Sequence, residues 1–142
     1  MKPFKEALEA SKPSVDLVIK HLIKSGCTDI RENHDGKYDI SYINIKGEPR
    51  TIEVKNDLEF PETGNVAIEF ESRKEASGIC SSIADLWYYV LEDKLYWAPR
   101  RDIIRYLIQH WDRYSRVKGG DDKTSLLCLL KFDDFLDVFR PV

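Results

Sequence analysis

At 142 residues the chain is long enough to close one hydrophobic core and too short for two, so a single domain over 1–142 is expected. With 42% hydrophobic and 33% charged residues, and no apolar run near the roughly 20 residues that cross a bilayer, the composition excludes a membrane-spanning helix and indicates a globular chain. The net charge of −3 is only a weak argument against a polyanionic partner, which meets local charge rather than the total. Between Lys94 and Lys118 stand seven Lys or Arg against two Asp.

Residues 1–6 lack the apolar stretch of a secretory signal, and Phe4–Ala10 has the pattern of a helical turn or two. Residues 14–25 carry apolar positions at helical spacing and stop at Gly26. Cys27–Asn33 fits a short first strand. His34-Asp35-Gly36-Lys37 is a turn signal before Tyr38–Ile45, which alternates as a strand. A second turn at Lys46–Pro49 leads into a strand over Arg50–Asp57, and a loop around 61–65 feeds another alternating run, Val66–Ser72. Ser81 or Ser82 then caps an expected helix over Ile83–Glu92, whose Ile83, Leu86, Trp87, Val90 and Leu91 form one apolar face. Lys94–Ala98 is expected as a strand, Arg101–Trp111 as a helix, Gly119–Asp122 as a turn and Thr124–Phe132 as a last buried strand. A short amphipathic tail follows over 134–139. The order helix, meander, helix, strand, helix, strand predicts an α/β fold with a central mixed sheet flanked by helices.

Cys27, Cys80 and Cys128 are odd in number and far apart, which predicts buried thiols of a cytoplasmic protein rather than a disulfide framework. His21, His34 and His110 are scattered without a companion at metal-ligand spacing.

The chemistry concentrates on two strands. Strand side chains alternate, so Glu53 and Lys55 project to one face while Ile52 and Val54 project to the other. A hairpin across Lys46–Pro49 brings Asp39 beside that pair, converging two carboxylates and an ammonium. Hard cations such as Mg²⁺ or Mn²⁺ take carboxylate and carbonyl oxygens and retain several waters, which suits Asp39, Glu53 and the Val54 carbonyl. Lys55 is placed to orient a nucleophilic water or to pair with a phosphate. The pattern is that of a metal-dependent phosphodiesterase site. An antiparallel hairpin from 50–57 to 66–72 is further expected to put Glu69 opposite Lys55 and Glu71 opposite Glu53, making Glu69 a further candidate ligand. Asp16 on the first helix is a weaker one. Taken alone, Glu-x-Lys on a half-exposed strand is commonplace, and the flanking acidic strands raise its weight.

The order helix, strand, strand with Asp, strand with Glu-x-Lys, helix, strand resembles the PD-(D/E)XK nuclease superfamily. Glu53-Val54-Lys55 resembles the motif of the small Holliday-junction resolvases of archaea and phages. Thr63–Glu69, Ser77-Gly78-Ile79 and Ala84-Asp85-Leu86-Trp87 are similar to phage-encoded members, and the resemblance spans about 14–98. It implies a restriction-endonuclease-like core, with Asp39 and Glu53 as metal ligands and Lys55 as the catalytic lysine. It also implies an acidic residue on the first helix, where Asp16 stands in place of the usual Glu, and Tyr38 replaces the motif's proline. Further implications are Mg²⁺ or Mn²⁺, four-way DNA junctions as substrate, a role in recombination, and a homodimer in a bacterial or archaeal host cell.

For DNA contacts, Arg73 and Lys74 follow the Glu-rich strand, Ser77 precedes a predicted helix start, and Arg100, Arg101 and Arg105 open the basic segment. Each has a bland alternative as turn, cap or solvated surface. Trp87, Tyr88 and Tyr89 are expected in the core, and Trp97 and Trp111 to pack rather than stack on bases. The alternatives in function are a nickase, restriction-like or single-strand endonuclease, a non-catalytic nucleic-acid-binding module, and a protein-interaction domain.

Overall fold

The computed structural model describes residues 4–119 and 125–142, with side chains from Lys12 onward. Helix α1 runs from Phe4 to Lys24, 21 residues that continue through Pro13, where two shorter pieces were expected. It closes at Gly26, whose φ of +85° is the left-handed conformation that glycine adopts without a Cβ penalty. There the Cys27 N–H donates to the Leu22 carbonyl and the Gly26 N–H to the Ile23 carbonyl, both at 3.1 Å, satisfying orphan helix-end acceptors.

Strands β1 (Thr28–Glu32), β2 (Ile40–Ile43) and β3 (Pro49–Asn56) form the expected antiparallel meander. The Asn44 carboxamide oxygen accepts from the N–H groups of Lys46 and Glu48, so the turn begins at Asn44 and β2 stops before Ile45. Beyond β3 come helix α2 (Phe60–Thr63), strands β4 (Asn65–Ser72) and β5 (Glu75–Ala76), and a 3₁₀ turn over Gly78–Cys80. The chain then returns as β6 (Leu86–Leu91) and β7 (Lys94–Pro99), followed by α3 (Arg100–Gln109), β8 (Ser115–Gly119), β9 (Ser125–Lys131), α4 (Phe132–Val138) and β10 (Arg140–Pro141). The turn expected over 119–122 falls largely outside the described residues.

Two sheets result. The first has the order β1-β2-β3-β6-β7-β10 and is mixed, because β3 and β6 are parallel; the second has the order β5-β4-β9-β8 and is antiparallel. The mixed α/β architecture matches expectation, with three corrections. Residues 86–91 are a central strand, not part of a helix over 83–92. Six apolar residues in a row fit either period, and the Trp-Tyr-Tyr-Val run, buried on both faces, favours a strand paired in parallel. Ser82 accordingly caps no helix; its Oγ accepts from the Ala84 N–H and the Trp87 indole N–H. Second, β4 does not pair with β3. It pairs with β9 in the second sheet, and β6 takes the place beside β3. Third, the helix expected over Arg101–Trp111 runs from Arg100 to Gln109, and a 3₁₀ turn then leads into β8, a strand not expected there.

Each face of the first sheet has its own core. Val15, Val18 and Leu22 of α1 cover Ile40, Tyr42, Ile52 and Tyr88. On the opposite face Trp87, Tyr89 and Leu91 pack with Val66 and Ile68 of β4, Cys128 and Leu130 of β9, and the helices α3 and α4 through Ile103, Leu107 and Phe135. Of the three thiols, Cys128 is buried as expected, Cys27 is partly so, and Cys80 is exposed.

Candidate active site

The β2–β3 ladder ends at the pair Ile40–Ile52, one residue short of Asp39 and Glu53. The Asp39 carboxylate takes over where the ladder stops: its Oδ2 accepts the Val54 N–H at 2.7 Å, while the Asp39 N–H donates to the Ile52 carbonyl at 2.9 Å. Asp39 is thereby fixed by backbone on both its main chain and its side chain. In an extended strand the N–H and C=O of one residue point the same way, so the Val54 carbonyl faces the same side as this carboxylate.

Glu53 and Lys55 share the strand face opposite Ile52 and Val54, as their spacing predicts. The Lys55 Nζ lies 3.4 Å from the Glu53 Oε2, and 5.4 Å from the centroid of the Trp87 ring. The indole of Trp87 is itself tethered to Ser82 at 3.1 Å. A cation over the ring face gains electrostatic attraction and is restrained in position. The Glu53 carboxyl is largely buried, and that burial pushes its pKa from 4.5 up to about 7 against the opposing pull of Lys55. The negative charge of Asp39 adds to the rise. Two carboxyls held this close in a half-dry place favour either a shared proton or a cation.

Around this centre the structure adds residues that the sequence patterns did not single out. Asp57 continues the alternation Glu53, Lys55, Asp57; its carboxylate accepts from the Ala67 and Glu59 N–H groups at 2.8 and 3.1 Å and so ties β3 to the second sheet. The Tyr89 hydroxyl donates to the Ala67 carbonyl at 2.9 Å. Its pKa is pushed well up, by burial first and then by the charges of Asp57, Glu53 and Glu69. Reading 86–91 as a strand would have placed Trp87 and Tyr89 on the face of Glu53 and Lys55, because the parallel register pairs Glu53 with Trp87 and Lys55 with Tyr89.

Glu69 reaches the neighbourhood by a different route from the expected hairpin. It lines a cleft of about 520 Å³ between the two sheets together with Lys55 and Tyr89, and its Oε2 accepts from the Ser77 hydroxyl at 3.1 Å. A bulge in β4 between Glu69 and Glu71 places Glu71 opposite Leu126. Asp16 lies on α1, which covers the other face of the sheet, and it pairs with Lys12, which also holds Glu32.

The predicted DNA-contact residues scatter. Arg73 and Lys74, both at positive φ, form the two-residue turn between β4 and β5. Ser77 precedes only a three-residue 3₁₀ turn, not a helix, and Gly78 is required because any Cβ there would overlap the Glu69 main chain. The Arg100 guanidinium donates to the carbonyls of Ile79 and Cys80 at 3.0 and 3.2 Å, clamping that turn rather than facing outward. Arg101 and Arg105 project from α3 into solvent. Among the described residues, no group of three or more His, Cys, Asp or Glu is arranged to enclose a metal ion.

No family model matches the chain, and no curated protein does. Among solved structures it is similar to a bacterial homing endonuclease, I-Ssp6803I, with a TM-score of 0.54 and 16% identity over 87% of this chain and 77% of that one. The likeness establishes a shared mixed α/β fold. No described helix is long and apolar enough to cross a membrane.

Proposed function

We propose that the chain is a metal-dependent DNA endonuclease whose centre is Asp39, Glu53 and Lys55. The observation that carries this is the Asp39 carboxylate fixed on the Val54 N–H beside the half-buried Glu53, with the Lys55 ammonium 3.4 Å from the Glu53 carboxylate. The fold shared with an endonuclease supports the same reading. The donor set fits Mg²⁺ or Mn²⁺: two carboxylates and the Val54 carbonyl offer oxygen only, and such cations can complete their coordination with water.

A bound divalent cation would supply charge neutralisation at the scissile phosphate and a lowered pKa for an attacking water. The chain's own residues do the rest. Asp39 is held rigid by the Val54 N–H, leaving its second oxygen for the cation. Glu53 would offer a second carboxylate to that cation. Lys55, restrained by Glu53 and Trp87, presents its ammonium to the attacking water or to a phosphate oxygen.

Junction resolution is the finer form of the proposal and rests on the likeness of Glu53-Val54-Lys55 to resolvase motifs; it requires two sites, hence a homodimer. Cutting of linear duplex is the second reading, favoured by the description of the structural neighbour as a homing endonuclease. Incubating a labelled four-way junction and a matched linear duplex with Mg²⁺, Mn²⁺ or EDTA decides between them. Metal-dependent cuts confined to the junction support resolution, and cuts in both support a duplex endonuclease. Salt-sensitive binding without any cut leaves a binding module and ends the nuclease proposal.

A further inference from the structure

The face of β3 that carries Glu53 has a cavity at each end. At the Lys55 end lies the cleft between the sheets, also lined by Lys118. At the Thr51 end a second cavity of about 560 Å³ opens over β1 and β2, lined by Arg31, Tyr38, Ser41, Thr51, Asp29 and Asp85. The register places Arg31 beside Ser41 and Ser41 beside Thr51, a cross-strand row on the Glu53 face. From Thr51 to Lys55 is about 13 Å along the strand, with Glu53 midway.

In both cavities most carboxylates are already engaged by the chain's own donors, whereas two cations are not. Asp85 accepts from the Thr51 N–H and hydroxyl at 2.9 and 3.2 Å. Asp57 holds two backbone N–H groups, and Glu69 holds Ser77. Asp29, at the β1 bulge, and Glu59, in the cleft, are the exceptions. Arg50, which also lines the second cavity, is paired with Glu48 at 3.0 Å. Arg31 and Lys118 are exposed and have no hydrogen-bond or ion-pair partner among the described residues. Ordering either side chain has an entropic cost that nothing described in the chain offsets, while a phosphate in either cavity would supply the missing acceptor.

We infer that the substrate backbone runs lengthwise along β3, from a phosphate site at Arg31, across Asp39 and Glu53, to a phosphate site at Lys118. Arg31 and Lys118 are then positioning residues that hold the strand on either side of the scissile bond, and the Ser41 and Thr51 hydroxyls line the path between. This rests on the nuclease reading of Glu53, extends it to a direction and a footprint, and is tested by binding rather than by cleavage.

The test uses the full chain carrying Glu53→Gln, so that DNA is held and not cut, with a fluorescein-labelled four-way junction and its matched duplex as probes. Fluorescence anisotropy over a salt series gives Kd and the slope of log K against log salt. Arg31→Gln and Lys118→Gln are each expected to weaken binding several-fold and to reduce the slope by about one. Arg31→Lys is expected to restore the slope. Lys20→Gln, an equal charge change on α1 and the opposite face, is expected to do neither. An Arg31→Gln or Lys118→Gln variant that behaves like Lys20→Gln overturns the proposed path, even if the wild-type chain cuts DNA. Conversely, slope losses at both positions with no cutting by the wild type sustain the path and sink the nuclease reading. Absence of salt-dependent binding by the wild type overturns both.

Discussion

Strands β3 and β6 lie side by side in parallel register, yet they treat the same sheet face in opposite ways. On β6 that face carries Trp87, Tyr89 and Leu91, sealed beneath the second sheet and α4. On β3 it carries Thr51, Glu53 and Lys55, where the cover of the second sheet runs out. The α1 side shows no such contrast, since Ile52 and Tyr88 are equally buried there. Charge chemistry therefore sits at the rim of a dry core, close enough to be desolvated and open enough for a substrate to reach. The rim is what perturbs Glu53; a fully solvated sheet face would not, and a sealed one would exclude DNA.

The largest way to break this contrast is to remove the charge on the open side. Lys55→Ala is expected to lower single-turnover cleavage by roughly 10²–10⁴-fold while changing DNA affinity much less, because its ammonium acts on the reacting groups. Gly78→Ala attacks the seal instead. Its Cβ would overlap the Glu69 backbone at a φ of +52°, so urea denaturation is expected to show a loss of about 3 kcal/mol, with β4 and the cleft displaced.

The pH dependence sharpens the comparison at Glu53. In EDTA its folded pKa of about 7 exceeds the ordinary 4.5, so the folded state holds a proton that the unfolded chain has released. Stability from this group is full below about pH 4.5 and is lost as pH rises to about 7, by about 3 kcal/mol at most. Glu53→Gln is expected to flatten that fall and to be the more stable chain at pH 8, as measured by thermal unfolding. The smallest effect belongs to the sealed side: Tyr89→Phe leaves the Ala67 carbonyl without its hydroxyl donor and is expected to cost about 1–2 kcal/mol.

Much of the site was legible in sequence because it is local. The alternation of Ile52-Glu53-Val54-Lys55 and the turn at Lys46–Pro49 suffice to bring Asp39 to Glu53, and the structure places them so. What was not legible is non-local. The six apolar residues 86–91 fit a helix face as well as a strand, and only burial on both sides decides between them. Without β6 in place, β4 is the natural partner for β3, which puts Glu69 on the wrong ladder, although it still arrives near Lys55 across the gap between the sheets. The roles of Asp57 and Arg100 within the fold are not legible for a related reason. Their partners, Ala67, Ile79 and Cys80, are backbone groups that no side-chain pattern reports. The basic count from Lys94 to Lys118 likewise hid the fact that its members serve different ends, from the clamp at Arg100 to the exposed ammonium of Lys118.

The most direct test of the central claim is equilibrium Mn²⁺ binding by isothermal titration calorimetry at pH 7.5, comparing the wild-type chain with Asp39→Asn/Glu53→Gln. The carboxyl pair predicts saturable binding at the wild-type site, with proton release that varies with buffer ionisation enthalpy, and loss of both in the double variant. Equal Mn²⁺ binding by the two chains, or none by the wild type, would contradict a metal site at Asp39 and Glu53.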